Sequence, residues 1–188
     1  MATLQLHPHP NFPPRAKLVV KAGPGARRAR GHMPLCYQVY GDIDQIRWPD
    51  AALEGRVDRL WEHSCFEVFL AVEGAGPGYL EMNFAPGRQW AAYAFDSYRA
   101  GMADDLCVDI ARMDWVVRPQ LSVPRVEMHV LAMLPDRFES ADIAMGLSLV
   151  IEELGGTKSY WALAHAPGSP DFHNRDCFTA RLPAPEAA

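Results

Sequence analysis

The sequence predicts an all-β protein, a single antiparallel two-sheet β-sandwich of jelly-roll-like form with little helix. Three observations carry that expectation. Apolar residues alternate with period two in many short runs, as strands do when one face packs on a core. Turn signals separate the runs: Gly41-Asp42, Gly74 to Gly78, Ala85-Pro86-Gly87, Pro135-Asp136 and Gly155-Gly156. No long helical period lies between them, which favours two stacked sheets over alternating strands and helices.

Taken in order, residues 1–16 form a Pro-rich segment expected to pack on the domain. Its stretch 7–14 cannot be regular helix, because proline removes donors and fixes φ. Strands are predicted at 17–21, 34–40, 63–72, 78–84 and 89–95. Further strands follow at 106–112, 115–121, 125–134, 145–153, 158–165 and 177–182. The run 63–72 sets Phe66, Val68 and Leu70 on one face, and 78–84 does the same with Leu80, Met82 and Phe84. The run 125–134 sets Val126, Met128, Val130 and Ala132 against Glu127, His129, Leu131 and Met133. Facing rows of this kind fill a sandwich core about 10 Å thick. The stretch 136–154 is dense enough in apolar residues to compete as a helix, but Met145 to Glu152 alternates and is β-rich. Residues 17–182 then make one domain, and 183–188 a flexible tail.

Composition narrows the function classes. A chain of 188 residues buries a core without staples. A net charge of −5 argues against broad nucleic-acid binding, which needs a basic surface. The nearest basic cluster, Arg27-Arg28-Ala29-Arg30, sits in a Gly/Pro-rich turn and reads as a solvated loop. The first ten residues lack the basic start and apolar run of a signal peptide, and no apolar window reaches membrane-spanning length. The expected location is cytoplasmic, with reduced thiols. Cys36, Cys65, Cys107 and Cys177 form no Cys-x-x-Cys pair, and Cys36 and Cys107 read as small buried hydrophobes.

The functional clue is the off-core face of two strands. It reads His63, Cys65, Glu67 on one and Tyr79, Glu81, Asn83 on the next, a polar wall suited to a ligand. Saccharides present paired hydroxyls and apolar C–H faces, so planar acceptors beside aromatic platforms suit them. Glu67, Glu81, Asn83 and Gln89 supply the first; Trp61, Trp90, Tyr160 and Trp161 supply the second. The structural alternative makes the tryptophans core and pairs the carboxylates with arginines. The loop 165–176, restrained by two prolines and carrying Asp171, His173 and Arg175, borders either a ligand site or an ordinary surface.

Other chemistries are weaker. His63 and Cys65, two apart on one strand, could chelate, and His165, Asp171 and His173 add donors, but no zinc spacing is matched. No Cys-x-x-Cys-His haem attachment exists, and Met82 falls on the core row. There is no nucleophile elbow, phosphate-cradling loop or His-Glu-x-x-His, so Glu67 and Glu81 are read as binding rather than hydrolysing a sugar. No resident cofactor is therefore expected, with haem or a metal as the alternative. A protein-interaction module docking through a sheet edge is the reading from another class. Oligomeric state is not encoded in any local pattern.

Three stretches carry a resemblance. They are Leu60 to Phe69 (Leu-Trp-Glu-His-Ser-Cys-Phe-Glu-Val-Phe), Tyr79 to Tyr93 with its Tyr-x-Glu-x-Asn-Phe start, and Ser159 to Pro167 followed by Pro170-Asp171-Phe172-His173. In that order, and with the His-Pro pair near the N-terminus, the chain resembles the bacterial DOMON-like proteins over residues 7–182. These are similar in turn to the family-nine carbohydrate-binding modules. The resemblance implies an antiparallel sandwich with a ligand cleft on one sheet, in a superfamily whose members bind sugars or haem. The candidate ligand-binding residues are Trp61, His63, Glu67, Glu81, Asn83, Trp90, Trp161, His165, Asp171 and His173. The expected ligand is a small polyhydroxylated molecule.

Overall fold

The computed structural model describes residues 3–27, 31–50 and 52–185. Thirteen strands follow one another: β1 (Leu4–Pro8), β2 (Leu18–Pro24), β3 (His32–Gly41), β4 (Gly55–Arg56), β5 (Cys65–Val72), β6 (Tyr79–Ala85) and β7 (Gln89–Phe95). Then come β8 (Ala103–Asp104), β9 (Asp109–Arg118), β10 (Arg125–Met133), β11 (Ile143–Glu152), β12 (Lys158–Ala162) and β13 (Ala180–Leu182). The only helical turns among the described residues are single 3₁₀ turns. The all-β expectation holds.

The expectation of two separate antiparallel sheets does not. The strands form one curled, mixed sheet in the order β4-β7-β6-β5-β11-β12-β1-β2-β3-β10-β9, with β13 on β11 and β8 on β7. The joint is β1. Its first residues pair with β2 (Leu4↔Ala22, Leu6↔Val20), and its last pair with β12 (His7↔Ala162, Pro8↔Trp161). The Pro-rich segment thus supplies the strand that makes the sheet continuous. The mixed character comes from β4, which lies parallel to β7 through Gly55↔Gln89.

Curling brings the two halves face to face around one core. Phe66, Val68 and Leu70 of β5 and Leu80, Met82 and Phe84 of β6 belong to the same buried cluster as Leu35, Tyr37 and Val39 of β3. Val126, Met128 and Val130 of β10 complete it, on the face their alternation predicts. Tyr37 reaches across, with its ring centroid 5.3 Å from that of Phe66 and its hydroxyl donating to the Glu67 carbonyl at 2.6 Å.

Local departures have local causes. Runs 106–112 and 115–121 are parts of one strand, β9, whose register against β10 shifts between Leu131 and Ala132, where a bulge stands instead of a turn. Cys36 is buried as expected, but Cys107 is exposed, held in a turn by its N–H on Asp105 Oδ1 at 3.0 Å. The start of the tail is tied down: the Ala184 N–H donates to Asp142 Oδ1 at 2.8 Å, while residues 186–188 lie outside the described residues. Arg27 donates to the Ala141 carbonyl at 2.6 Å; residues 28–30 of that basic turn lie outside the described residues.

One half of the sheet is buried on both faces. Behind the main core, Phe69, Tyr79, Tyr93, Phe95 and Val150 form a second apolar cluster with Phe172, Cys177 and Phe178. The last three come from residues 163–179, which run from β12 to β13 and cover that face. All seven residues of β6 are consequently buried, polar ones included.

Candidate ligand-binding site

Glu67 and Glu81 open into one cavity on this covered face. Register makes it so: Glu67 stands opposite Asn83, and Phe69 opposite Glu81, so the two carboxylates lie diagonally on neighbouring strands. The cavity measures about 330 Å³. Its floor is Glu67, Phe69 and Glu81; Trp61, Phe95 and Tyr160 stand at the sides. Phe172 and His173 close it from the 163–179 segment, and Arg99 and Met102 from the segment after β7.

The carboxylates are unusual for their burial. Glu67 is 3% exposed and Glu81 4%. Glu81 Oε1 accepts from Asn83 Nδ2 at 2.7 Å. Glu67 Oε2 accepts from Ser148 Oγ at 3.4 Å, while its Oε1 and the Asn83 Oδ1 take no hydrogen bond from the described residues. Burial, reinforced by the neighbouring Glu81 charge, pushes the Glu67 carboxyl well above the usual range. Burial also raises Glu81, to about 7, against the pull of the Asn83 hydrogen bond and the Arg99 charge.

Two loops are latched over the cavity by Asp171. Its Oδ1 accepts from Arg99 Nη2 at 2.8 Å and from the His173 N–H at 3.2 Å; its Oδ2 accepts from the Tyr98 hydroxyl at 2.6 Å. Burial opposes ionisation of Asp171, but the donations from Tyr98 and Arg99 outweigh it and hold the carboxyl below its ordinary value. His173 is kept neutral by burial and by Arg99, its pKa lowered to about 4. The Tyr79 hydroxyl accepts from the Arg99 N–H at 3.2 Å and lies 2.8 Å from His173 Nδ1. The other ring nitrogen, Nε2, lies on the side of Glu81 Oε2 at 3.9 Å.

The turn carrying Arg99 is strained where it matters. Arg99 adopts φ 52, and Gly101 follows at φ 70. A Cβ on Gly101 would stand 2.1 Å from Asp96 Oδ2 and 2.8 Å from Asp96 Cβ. Gly101→Ala is therefore expected to cost more than about 1 kcal/mol and to lower the Tm by roughly 2–4 °C or more in a thermal melt.

The fold has a solved counterpart. A Bacteroides uniformis protein provisionally described as carbohydrate-binding superposes with a TM-score of 0.60 at 13% identity, over 93% of this chain and 82% of that one. A family-nine carbohydrate-binding module from Caldicellulosiruptor kristjanssonii, solved with glucose, aligns at a TM-score of 0.43 and 10% identity, over 82% of this chain and 71% of that one. No protein-family profile and no curated protein matches the chain.

Of the residues singled out in the sequence, Trp61, Glu67, Glu81 and His173 line the cavity, with Asn83 and Asp171 bonded directly behind them. Four others lie elsewhere. Trp161 is buried in the main core, its Nε1 donating to Ser159 Oγ at 3.0 Å, because β12 turns Tyr160 rather than Trp161 to the cavity. Trp90 packs on the main core, 5.5 Å from the Arg56 guanidinium. His63 precedes β5, is exposed and pairs with Glu152 at 2.8 Å. His165 stands outside the lining, its Nε2 donating to the His7 carbonyl at 2.8 Å. His63 and Cys65 do not form a chelating pair, since Cys65 is buried with Leu60 and Ala85. Among the described residues no three His, Cys, Asp or Glu side chains converge as metal ligands.

Sequence reasoning missed Phe69, Phe95, Arg99 and Phe172. Phe69 was within reach, two residues beyond Glu67 on the same face. Arg99 and Phe172 sit in loops, where no period announces a direction.

Proposed function

We propose that the protein binds a small polyhydroxylated molecule, such as a sugar, reversibly and without transforming it, in the cavity over β5 and β6. The observation that carries this reading is Glu67, a carboxylate 3% exposed that lines the cavity and has an oxygen with no donor among the described residues. A buried acceptor left without a donor costs about 1–3 kcal/mol, which a ligand hydroxyl would recover. The rings of Trp61, Phe95 and Tyr160 offer apolar faces to sugar C–H groups. A volume near 330 Å³ suits a small ligand. The provisional carbohydrate-binding description of the B. uniformis counterpart points the same way. The reading requires no cofactor.

Two other surfaces support it by contrast. A wider depression of about 890 Å³ runs along β9 and β10 past Trp115 and His129, but its lining holds none of the buried side-chain atoms lacking a hydrogen-bond partner. The free edge at β9 carries Arg112, Asp114 and Arg118, charges that blunt strand-to-strand docking. Both favour the cavity over a protein-interaction edge.

The test is a calorimetric and thermal-shift screen of wild type and Glu67→Gln against mono- and disaccharides and nucleotide sugars. Saturable binding by the wild type, at least about tenfold weaker in Glu67→Gln, is expected. A folded wild type that binds none of them would overturn the reading.

A further inference from the structure

We infer that the cavity receives an organic ammonium group, held between the carboxylates of Glu67 and Glu81 and faced by aromatic rings. This rests on the reading of the cavity as a small-molecule site, and it narrows the ligand to an amine-bearing polyhydroxylated molecule, of the amino-sugar class.

The charges argue for a cation. Glu67 and Glu81 are both nine-tenths buried or more, and both line the same small space. Arg99, the one cationic side chain among the described lining residues, is held by Asp171 through Nε at 3.2 Å and Nη2 at 2.8 Å, and its remaining influence falls on Glu81 and His173 rather than on Glu67. Among the described residues no cation pairs with Glu67, and its hydrogen-bond donor is the Ser148 hydroxyl. With a neutral ligand the two buried acids avoid like-charge repulsion only by holding a proton, the condition that pushes Glu67 well above the usual carboxylate range. An ammonium compensates both, and it brings donors for the unfilled Glu67 Oε1.

The walls fit the same guest. Trp61, Phe69, Phe95, Tyr160 and Phe172 enclose the carboxylates, and ring faces attract organic cations electrostatically when water is excluded. His173 is kept neutral by burial and so does not repel one. The groups that titrate or carry charge around the ammonium position are Glu67 from β5, Glu81 and Tyr79 from β6, Tyr160 from β12, and Arg99, Asp171 and His173 from the two loops.

The experiment uses the intact wild-type chain and four probes: glucosamine, glucose, N-acetylglucosamine and choline. At pH 7, glucosamine is expected to bind at least about tenfold more tightly than glucose or N-acetylglucosamine. Choline keeps a permanent charge, so its affinity should fall at least about tenfold from pH 8 to pH 5 as Glu81, raised to about 7, takes up its proton. Glucose binding as well as glucosamine, with no choline binding, would overturn the ammonium inference and leave the sugar reading intact. Choline binding with no sugar bound would uphold the ammonium site and overturn both the amino-sugar assignment and the sugar reading. Failure of all four would overturn both.

Discussion

Replacing Glu81 by glutamine is expected to stabilise the free protein by about 3 kcal/mol at pH 8 while weakening ligand binding by about 1.5–3 kcal/mol. The first effect follows from a carboxyl that titrates near 7 when folded and near 4.5 when unfolded. The unfolded chain releases its proton first as pH rises. The stability tied to the protonated form is thus complete below pH 4.5 and lost as pH climbs through 7. Glutamine stays neutral, so the difference between variant and wild type should vanish near pH 4 and be fully developed by pH 8. His173 titrates in the opposite sense, its contribution complete above 6.5 and lost as pH falls through about 4, so it leaves the comparison at pH 8 untouched. The second effect follows because glutamine keeps the shape but loses the charge that strengthens a donated hydrogen bond. Urea titrations from pH 4 to pH 8, with calorimetry on the same two proteins, measure both. A variant less stable than wild type at pH 8 would show that Glu81 serves the fold rather than a ligand.

Phe66→Ala is expected to destabilise the protein by about 3–5 kcal/mol and to leave the cavity's chemistry in place. Phe66 is 1% exposed and stacks on Trp48 with centroids 5.7 Å apart and planes 8° from parallel. It also meets Tyr37 at 5.3 Å and Trp115 at 5.9 Å, so its loss opens a void where the two halves of the sheet press together. Yet Glu67, its neighbour in sequence, faces the other way. Chemical denaturation should therefore register a large loss. Binding measured well below the denaturation midpoint should weaken by less than about tenfold, since Glu67 faces away from the void and is coupled to it through Tyr37, which touches Phe66 and donates to the Glu67 carbonyl.

The contrast between these substitutions separates what was readable from what was not. The period-two alternation of β5 and β6 placed Phe66, Val68, Leu80 and Met82 on one face and Glu67, Glu81 and Asn83 on the other. That pattern is local, and it held. It faltered at His63, because the chain makes a 3₁₀ turn at Leu60–Glu62 and enters the strand only at Cys65. It also faltered at β12 and β7. Tyr160 and Trp161 point to opposite sides, and either suits an apolar environment, so on a strand buried on both faces alternation cannot say which side is core. The tertiary structure turned Trp161 and Trp90 to the main core and Tyr160 to the cavity.

By itself, then, the sequence determined the all-β character, most of the longer strands and their turns, and the polar face shared by Glu67, Glu81 and Asn83, but not β1, β4 or β8. Those depend on residues close along the chain, through side-chain alternation and the backbone demands of glycine and proline. Only the tertiary structure decided that β1 joins both halves into a single curled sheet, a matter of long-range pairing between His7 and Ala162. Only it decided that Asp171 would clamp Arg99 across a separation of 72 residues and roof the carboxylates from water. The polar face became a cavity because loops without periodicity were folded over it, and burial then raised the pKa values of its acids.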